Sequence, residues 1–225
     1  MSPGDIEGKQ VGPFHAVIFD MDGVLTDSEP LYAEALNEVL RGSGYVLTKK
    51  DHEAIMGSSI EDTWDWVYSR FGLKGERGVW LAAYDDAVIR LLSARVEPLP
   101  GIYSLLDGIE SRGIKIGLAS SSRHLWVKAV LRKLALEGRF GAVAACEMVA
   151  EAKPAPDLYL LVANQLGVRP SACIALEDSP RGVIAGKAAG MLTIALRTAP
   201  TAGLDISAAD YVIDRLEDFP LSWLG

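Results

Sequence analysis

Ala16-Val17-Ile18-Phe19-Asp20-Met21-Asp22-Gly23-Val24 is a run of β-formers that ends in two carboxylates one residue apart, followed by a glycine that permits a sharp turn. Side chains at i and i+2 lie on the same face of a strand, so Asp20 and Asp22 are expected to look into one crevice. In an open α/β sheet, ligands bind in the crevice beyond the carboxyl ends of the strands. Two acids placed there repel each other unless a proton or a cation lies between them. The stretch therefore predicts a divalent metal, or a proton donor, beside the first strand.

Working outward, Ser28-Glu29-Pro30 reads as a helix start, and Leu31, Ala35, Leu36, Val39 and Leu40 keep a helical period as far as Gly42-Ser43-Gly44. Two more helical patterns follow, Trp64, Val67, Tyr68, Phe71 and then Trp80, Ala83, Tyr84, Ala87, Val88, Leu91, Leu92, the second strongly amphipathic. Nothing from about 31 to 95 reads as a strand, and Glu97-Pro98-Leu99-Pro100-Gly101 breaks the chain. Beyond the break, helices and strands alternate. Ile102–Ser111, Leu125–Leu134, Asp157–Leu166 and Gly182–Ala189 read as helices, and Ile114–Ala119, Ala142–Ala145, Ala172–Leu176, Thr193–Leu196 and Tyr211–Ile213 as strands. That alternation implies a parallel sheet covered on both faces. The expected architecture is α/β: a Rossmann-like, doubly wound parallel-sheet core over 13–30 and 96–225, with an all-helical cap, 31–95, inserted after the first strand. The insertion leaves beside the Asp20/Asp22 crevice, where a lid would hang.

The composition is that of a globular chain: 225 residues, 49% hydrophobic and 23% charged. No apolar run approaches the roughly 18 residues a membrane helix needs. Met1 to Pro13 is polar and reads as a short tail without a signal-peptide core. Cys146 and Cys173 form no metal-binding spacing and read as small core residues in a reducing compartment, so a cytoplasmic location is expected. The net charge of −8, with scattered lysines and arginines, argues against nucleic acid as a partner. It also means that an anionic substrate would need local positive charge.

Polar residues recur where the core strands end. Ser120-Ser121-Ser122 follows one, Glu177-Asp178-Ser179 another, and Lys153-Pro154 comes after a third. Each has a bland alternative. The serines can cap a helix, Lys153 can be a solvated loop residue, and Glu177 with Asp178 can complement a helix N-terminus. Taken together, Asp20, Asp22, Glu177 and Asp178 carry about four negative charges, which calls for a dication; an all-oxygen set without His or Cys favours magnesium. Ser120, Ser121 and Lys153 can then hold phosphate oxygens. An EF-hand loop starting at Asp20 fails, because glycine falls at position 4 and Leu31 at position 12. No G-x-x-x-x-G-K-[ST] or G-x-G-x-x-G loop is present.

Phe19-Asp20-Met21-Asp22-Gly23-Val24-Leu25-Thr26-Asp27-Ser28-Glu29 resembles motif I of the haloacid dehalogenase superfamily of phosphotransferases. Leu118-Ala119-Ser120 resembles its motif II, Lys153-Pro154 its motif III and Leu176-Glu177-Asp178-Ser179 its motif IV, in the family's order. The insertion resembles the helical cap of the branch that contains β-phosphoglucomutase and small sugar-phosphate phosphatases. The resemblance implies that Asp20 is the nucleophile and Asp22 the acid–base, a choice the residues alone leave open. It implies magnesium held by Asp20, Asp178, Glu177 and the backbone carbonyl of Asp22, and a phosphoryl group held by Ser120, the Ser121 N–H and Lys153. Acid–base help of that kind is worth about 10²–10⁴-fold.

The second aspartate argues against dehalogenation, since halide leaves without a proton. Phosphatase and mutase remain. A mutase holds a second phosphate at its lid, yet no Lys or Arg occurs from Gly78 to Ile89, and the cap loop reads Gly57-Ser58-Ser59-Ile60 where the mutase pattern has an arginine. The expectation is a magnesium-dependent phosphatase acting on a small phosphorylated metabolite, a sugar phosphate foremost, with Gly57, Ser58, Ser122 and Arg123 as candidate substrate contacts. A monomer is expected, because a swinging lid favours one. A non-catalytic scaffold would have lost Asp20, Asp22, Lys153 or Asp178, and none is lost.

Overall fold

The computed structural model describes residues 13–55, 58–198, 201 and 203–225; the tail before Pro13 and Gly57 lie outside them. The β-forming run is β1 (Ala16–Phe19), buried along its whole length. Five more strands follow: β2 (Lys115–Ala119), β3 (Ala142–Ala144), β4 (Cys173–Glu177), β5 (Leu192–Leu196) and β6 (Tyr211–Ile213). They form one sheet in the order β3-β2-β1-β4-β5-β6, every pair parallel. The order reverses direction at β1, so its carboxyl end is the topological switch point, where such sheets bind ligands.

Alternate residues of β1 serve two cores. Val17 and Phe19 join the cluster holding α5 (Ile102–Glu110) and α6 (His124–Lys133). Ala16 and Ile18 join the cluster holding α7 (Asp157–Leu166), with Ala185 of α8 (Pro180–Ala188) beside it. Burial on both faces accounts for the unbroken apolar character of the strand.

Four helices lie between β1 and α5: α1 (Glu29–Arg41), α2 (Lys49–Ile55), α3 (Ile60–Phe71) and α4 (Arg77–Arg95). The sequence reading missed α2, whose Lys49-Lys50-Asp51-His52 start has no apolar stripe. A reciprocal cap marks its beginning instead: Asp51 N–H donates to Thr48 Oγ1 (3.3 Å) and Thr48 N–H to Asp51 Oδ2 (2.8 Å). The stripe of α4 is shorter than its period suggests. Tyr84, Ala87, Val88, Leu91 and Leu92 are buried, while Trp80 is half-buried and Ala83 exposed. Trp66, off the apolar stripe of α3, packs edge-on to Phe71.

The outgoing and returning segments of this insertion run side by side. Thr26 bridges Pro98 in antiparallel fashion, Leu99 N–H donates to Leu25 O (2.8 Å), and Thr26 Oγ1 donates to Glu97 O (2.6 Å). The helices therefore hang from a two-stranded stalk that starts beside the end of β1.

Candidate active site

β1 stops at Phe19, and the chain turns at once: Val24, Leu25 and Thr26 N–H all donate to Met21 O. Strand alternation thus ends before Asp22, and the two aspartates take different hydrogen-bond partners, although the Asp22 charge still helps to raise the Asp20 carboxyl. Asp20 faces Glu177 and Asp178 at the end of the adjacent β4, and one carboxylate oxygen from each of the three lies within 4.8 Å of the others. All three side chains are buried. The Asp22 carboxylate instead accepts from Tyr32 OH (2.8 Å) and Ser28 Oγ at Oδ1 and from Ser122 Oγ (2.7 Å) at Oδ2.

Lys153 enters this trio from the loop before α7, only 4% exposed, and its Nζ donates to Asp20 Oδ1 and Glu177 Oε1, each at 2.6 Å. Tyr159, on α7, donates its hydroxyl to the same Glu177 oxygen at 2.7 Å and offers its ring to Lys153 Nζ 5.0 Å away. Burial alone would lower the Lys153 ammonium, but Asp20 and Glu177 outweigh it and hold it above its ordinary range. Among the described residues, no lysine or arginine forms a salt bridge with Asp178. Burial first, then the charges of Asp20, Glu177 and Asp22, push its carboxyl up to about 9. Burial also raises Asp20, against the pull of Lys153. Lys153 thus pairs with two of the three carboxylates, and the carboxyls of Asp20 and Asp178 are raised by burial first and by neighbouring acids after it.

Two glycines make room for this cluster. A Cβ on Gly23, whose φ is +80°, would stand 1.9 Å from Asp178 Oδ2, and a Cβ on Gly182 would stand 1.9 Å from Glu177 Oε2. The backbone of the turn after β1 and the first turn of α8 thus press directly on the carboxylates. A compact all-oxygen set, overcharged and tightly cradled, fits a small hard dication.

Ser120 follows β2, fully buried, and its Oγ accepts from Ser122 N–H (3.0 Å). It caps no helix, since α6 begins at His124 with Arg123 as its N-cap. Ser121 is exposed beside it. The Arg123 guanidinium pairs with Asp85 of α4 and with Glu147 (3.3 Å). Among the described residues, Ser58 makes no side-chain hydrogen bond; its N–H donates to Ile55 O, and it is exposed.

Sequence reasoning missed four residues here. Tyr32 stands one turn into α1 with nothing in its spacing to mark it. Tyr159 lies on the apolar stripe of α7 and reads as core. Asp85 reads as the solvated face of α4, yet it accepts from Trp126 Nε1 (3.0 Å) as well as from Arg123. Glu29 reads as a helix-start acid, but it is half-buried and raised to about 7, by burial first and then by Asp22 and Asp27. Glu29 ends the motif I stretch and the other three lie in no motif; the partners of all four are set by the tertiary fold.

Comparison with known proteins agrees with this layout. A family model for haloacid dehalogenase-like hydrolases matches residues 14–190. Hexitol phosphatase B of Escherichia coli is 36% identical over 80% of this chain and 82% of its own length. The β-phosphoglucomutase of Bacillus subtilis is 32% identical over 93% of each. Among solved structures, CbbY of Rhodobacter sphaeroides in complex with phosphate superposes with a TM-score of 0.82 at 27% identity, over 92% of this chain and 96% of that one.

Proposed function

The chain belongs to the haloacid dehalogenase-like hydrolases, and from that premise we propose that it is a magnesium-dependent phosphatase of small phosphorylated metabolites, sugar phosphates foremost. In this reading 31–95 serves as a cap over a core of 13–30 and 96–225. The observation that carries it is the buried Asp20–Glu177–Asp178 trio with Lys153 at 2.6 Å from two of its members.

Asp20, Asp178, Glu177 and the Asp22 backbone carbonyl would hold magnesium. When bound, the ion offsets the charge of the trio and of the phosphoryl oxygens. Asp20 then attacks phosphorus in line. The bond from phosphorus to the ester oxygen breaks, and that oxygen keeps the electron pair and takes a proton from the Asp22 carboxyl. Water next attacks the aspartyl-phosphate, giving its proton to Asp22 and releasing inorganic phosphate and the Asp20 carboxylate. Lys153, the Ser120 hydroxyl and the Ser121 N–H hold the equatorial oxygens. Ser122 touches Asp22 directly and so lies at the leaving-group side.

A mutase would need a second phosphate site. No Lys or Arg occurs from Gly78 to Ile89, and Arg123, a candidate substrate contact, is already paired with Asp85 and Glu147, which favours hydrolysis. The two free cysteines fit a reducing cytoplasm, among the described residues no helix is long and apolar enough to cross a membrane, and we take the enzyme to act as a monomer. The test is phosphate release from 4-nitrophenyl phosphate and a panel of sugar phosphates, with and without magnesium. Turnover that is metal-independent, or that survives Asp20→Asn, defeats the mechanism. Glucose 6-phosphate formed from β-glucose 1-phosphate and a bisphosphate primer, without free phosphate, establishes the mutase instead.

A further inference from the structure

We propose that Tyr32 is a positioning residue for Asp22, through which docking of the helical insertion on the core sets the acid–base carboxylate; this rests on the phosphatase reading above. The hydroxyls around Asp22 come from two sides: Ser28 is the N-cap of α1 and Tyr32 stands one turn further along that helix, while Ser122 belongs to the loop after β2. Tyr32 OH donates to Asp22 Oδ1 (2.8 Å) and lies 3.2 Å from Ser122 Oγ, which itself holds Oδ2 at 2.7 Å. Both carboxylate oxygens are thereby pinned, one from the insertion and one from the core.

The ring of Tyr32 has its own support. It lies 5.2 Å from the ring of Trp126 on α6, tilted by 36°. Trp126 meets Tyr84 of α4 edge-on at 5.4 Å and donates its Nε1–H to Asp85 Oδ1 at 3.0 Å. Trp126 is thus clasped between two helices of the insertion. If that seam opens, the Tyr32 hydroxyl leaves Asp22 with it, and the carboxylate keeps the contacts of Ser28, at the very start of α1, and of Ser122 in the core. Proton transfer to a leaving oxygen is steep in geometry, so loss of this tether is expected to show in the protonation step rather than in binding.

Tyr32→Phe keeps the ring stack and removes only the hydroxyl. The leaving groups to compare are benzyl phosphate, whose alkoxide needs a proton, and 4-nitrophenyl phosphate, whose phenolate leaves without one. We expect the first-turnover rate on benzyl phosphate to fall about thirtyfold with KM within about twofold, and that on 4-nitrophenyl phosphate to fall by less than about threefold. Calorimetric titration with magnesium should give the parental affinity within about threefold, because the Tyr32 hydroxyl bonds to the Asp22 carboxylate, which is not among the proposed ligands. Equal losses on the two esters, no loss on either, a loss confined to KM, or a magnesium affinity changed more than about tenfold each overturns the assignment. A parent enzyme that hydrolyses neither ester defeats the phosphatase reading itself, a result separate from any of these.

Discussion

Replacing Gly23 by alanine puts the cation-site assignment under direct strain. The added Cβ would stand 1.9 Å from Asp178 Oδ2 and 2.3 Å from its Cγ. To regain an ordinary contact the carboxylate has to withdraw by roughly 1.5 Å. Magnesium accepts oxygens at about 2.0–2.1 Å in near-octahedral geometry, so a retreat of that size removes a ligand. Alanine at the +80° φ of position 23 also costs about 1–2 kcal/mol, which for a chain of this length lowers Tm by about 2–8 °C. In the parent, magnesium at a hundred times its Kd adds about 2.7 kcal/mol, or about 5–11 °C. The assay is thermal unfolding of both proteins across a magnesium series. The expectation is a modest fall in Tm for Gly23→Ala without magnesium, and loss of nearly all of the magnesium-induced rise. A variant that keeps the full rise would show that Asp178 does not bind the ion where the geometry puts it.

The pH dependence of stability should reverse the usual trend of a salt-bridged carboxylate. Asp178 titrates near 3.8 in an unfolded chain and near 9 in the fold, so across that window the native state holds a proton that the unfolded state has released; without magnesium, Tm should fall as pH rises from about 5 to 8, and saturating magnesium should flatten it. A metal-free Tm that rises over that range contradicts the burial argument. Lys153→Met removes both 2.6 Å pairings and leaves Asp20 and Glu177 unpaired in the interior, at a cost of about 3–5 kcal/mol measurable in urea; a loss below about 1 kcal/mol would mean the carboxylates are already neutral. Asp85→Ala breaks the partly exposed pairing with Arg123 and frees Trp126 Nε1, so stability should change by less than about 1 kcal/mol while hydrogen exchange quickens in α4 and α6. Unchanged exchange would deny that this contact clamps the insertion to the core.

Much of the layout was legible in the linear chain. The β1 run, the helix period of α1 and the alternation after Gly101 report burial directly, because a buried face imposes its own spacing. Asp20, Ser120, Lys153, Glu177 and Asp178 were legible for the opposite reason: polar residues at the ends of apolar strands have no packing role to explain them. What failed had no such contrast. α2 lacks a stripe, so only its Thr48–Asp51 cap announces it. Tyr159 and Tyr32 resemble core aromatics until the partners of their hydroxyls are known. The pairing of Arg123 with Asp85, 38 residues away, and with Glu147 was likewise invisible in local spacing.

By itself, then, the chain determined which acids and which lysine arrive at the carboxyl edge of the sheet, and in what order. It could not say that Asp22 takes other hydrogen-bond partners than Asp20, since that depends on β1 ending at Phe19 and on a turn closing around Met21 O. Nor could it say which hydroxyls take Asp22, because Ser122 is 100 residues distant and meets it only when β2 lies down beside β1. Local spacing encodes which face of an element is buried. The partners of a charged group across two layers and an insertion are settled by how those parts dock.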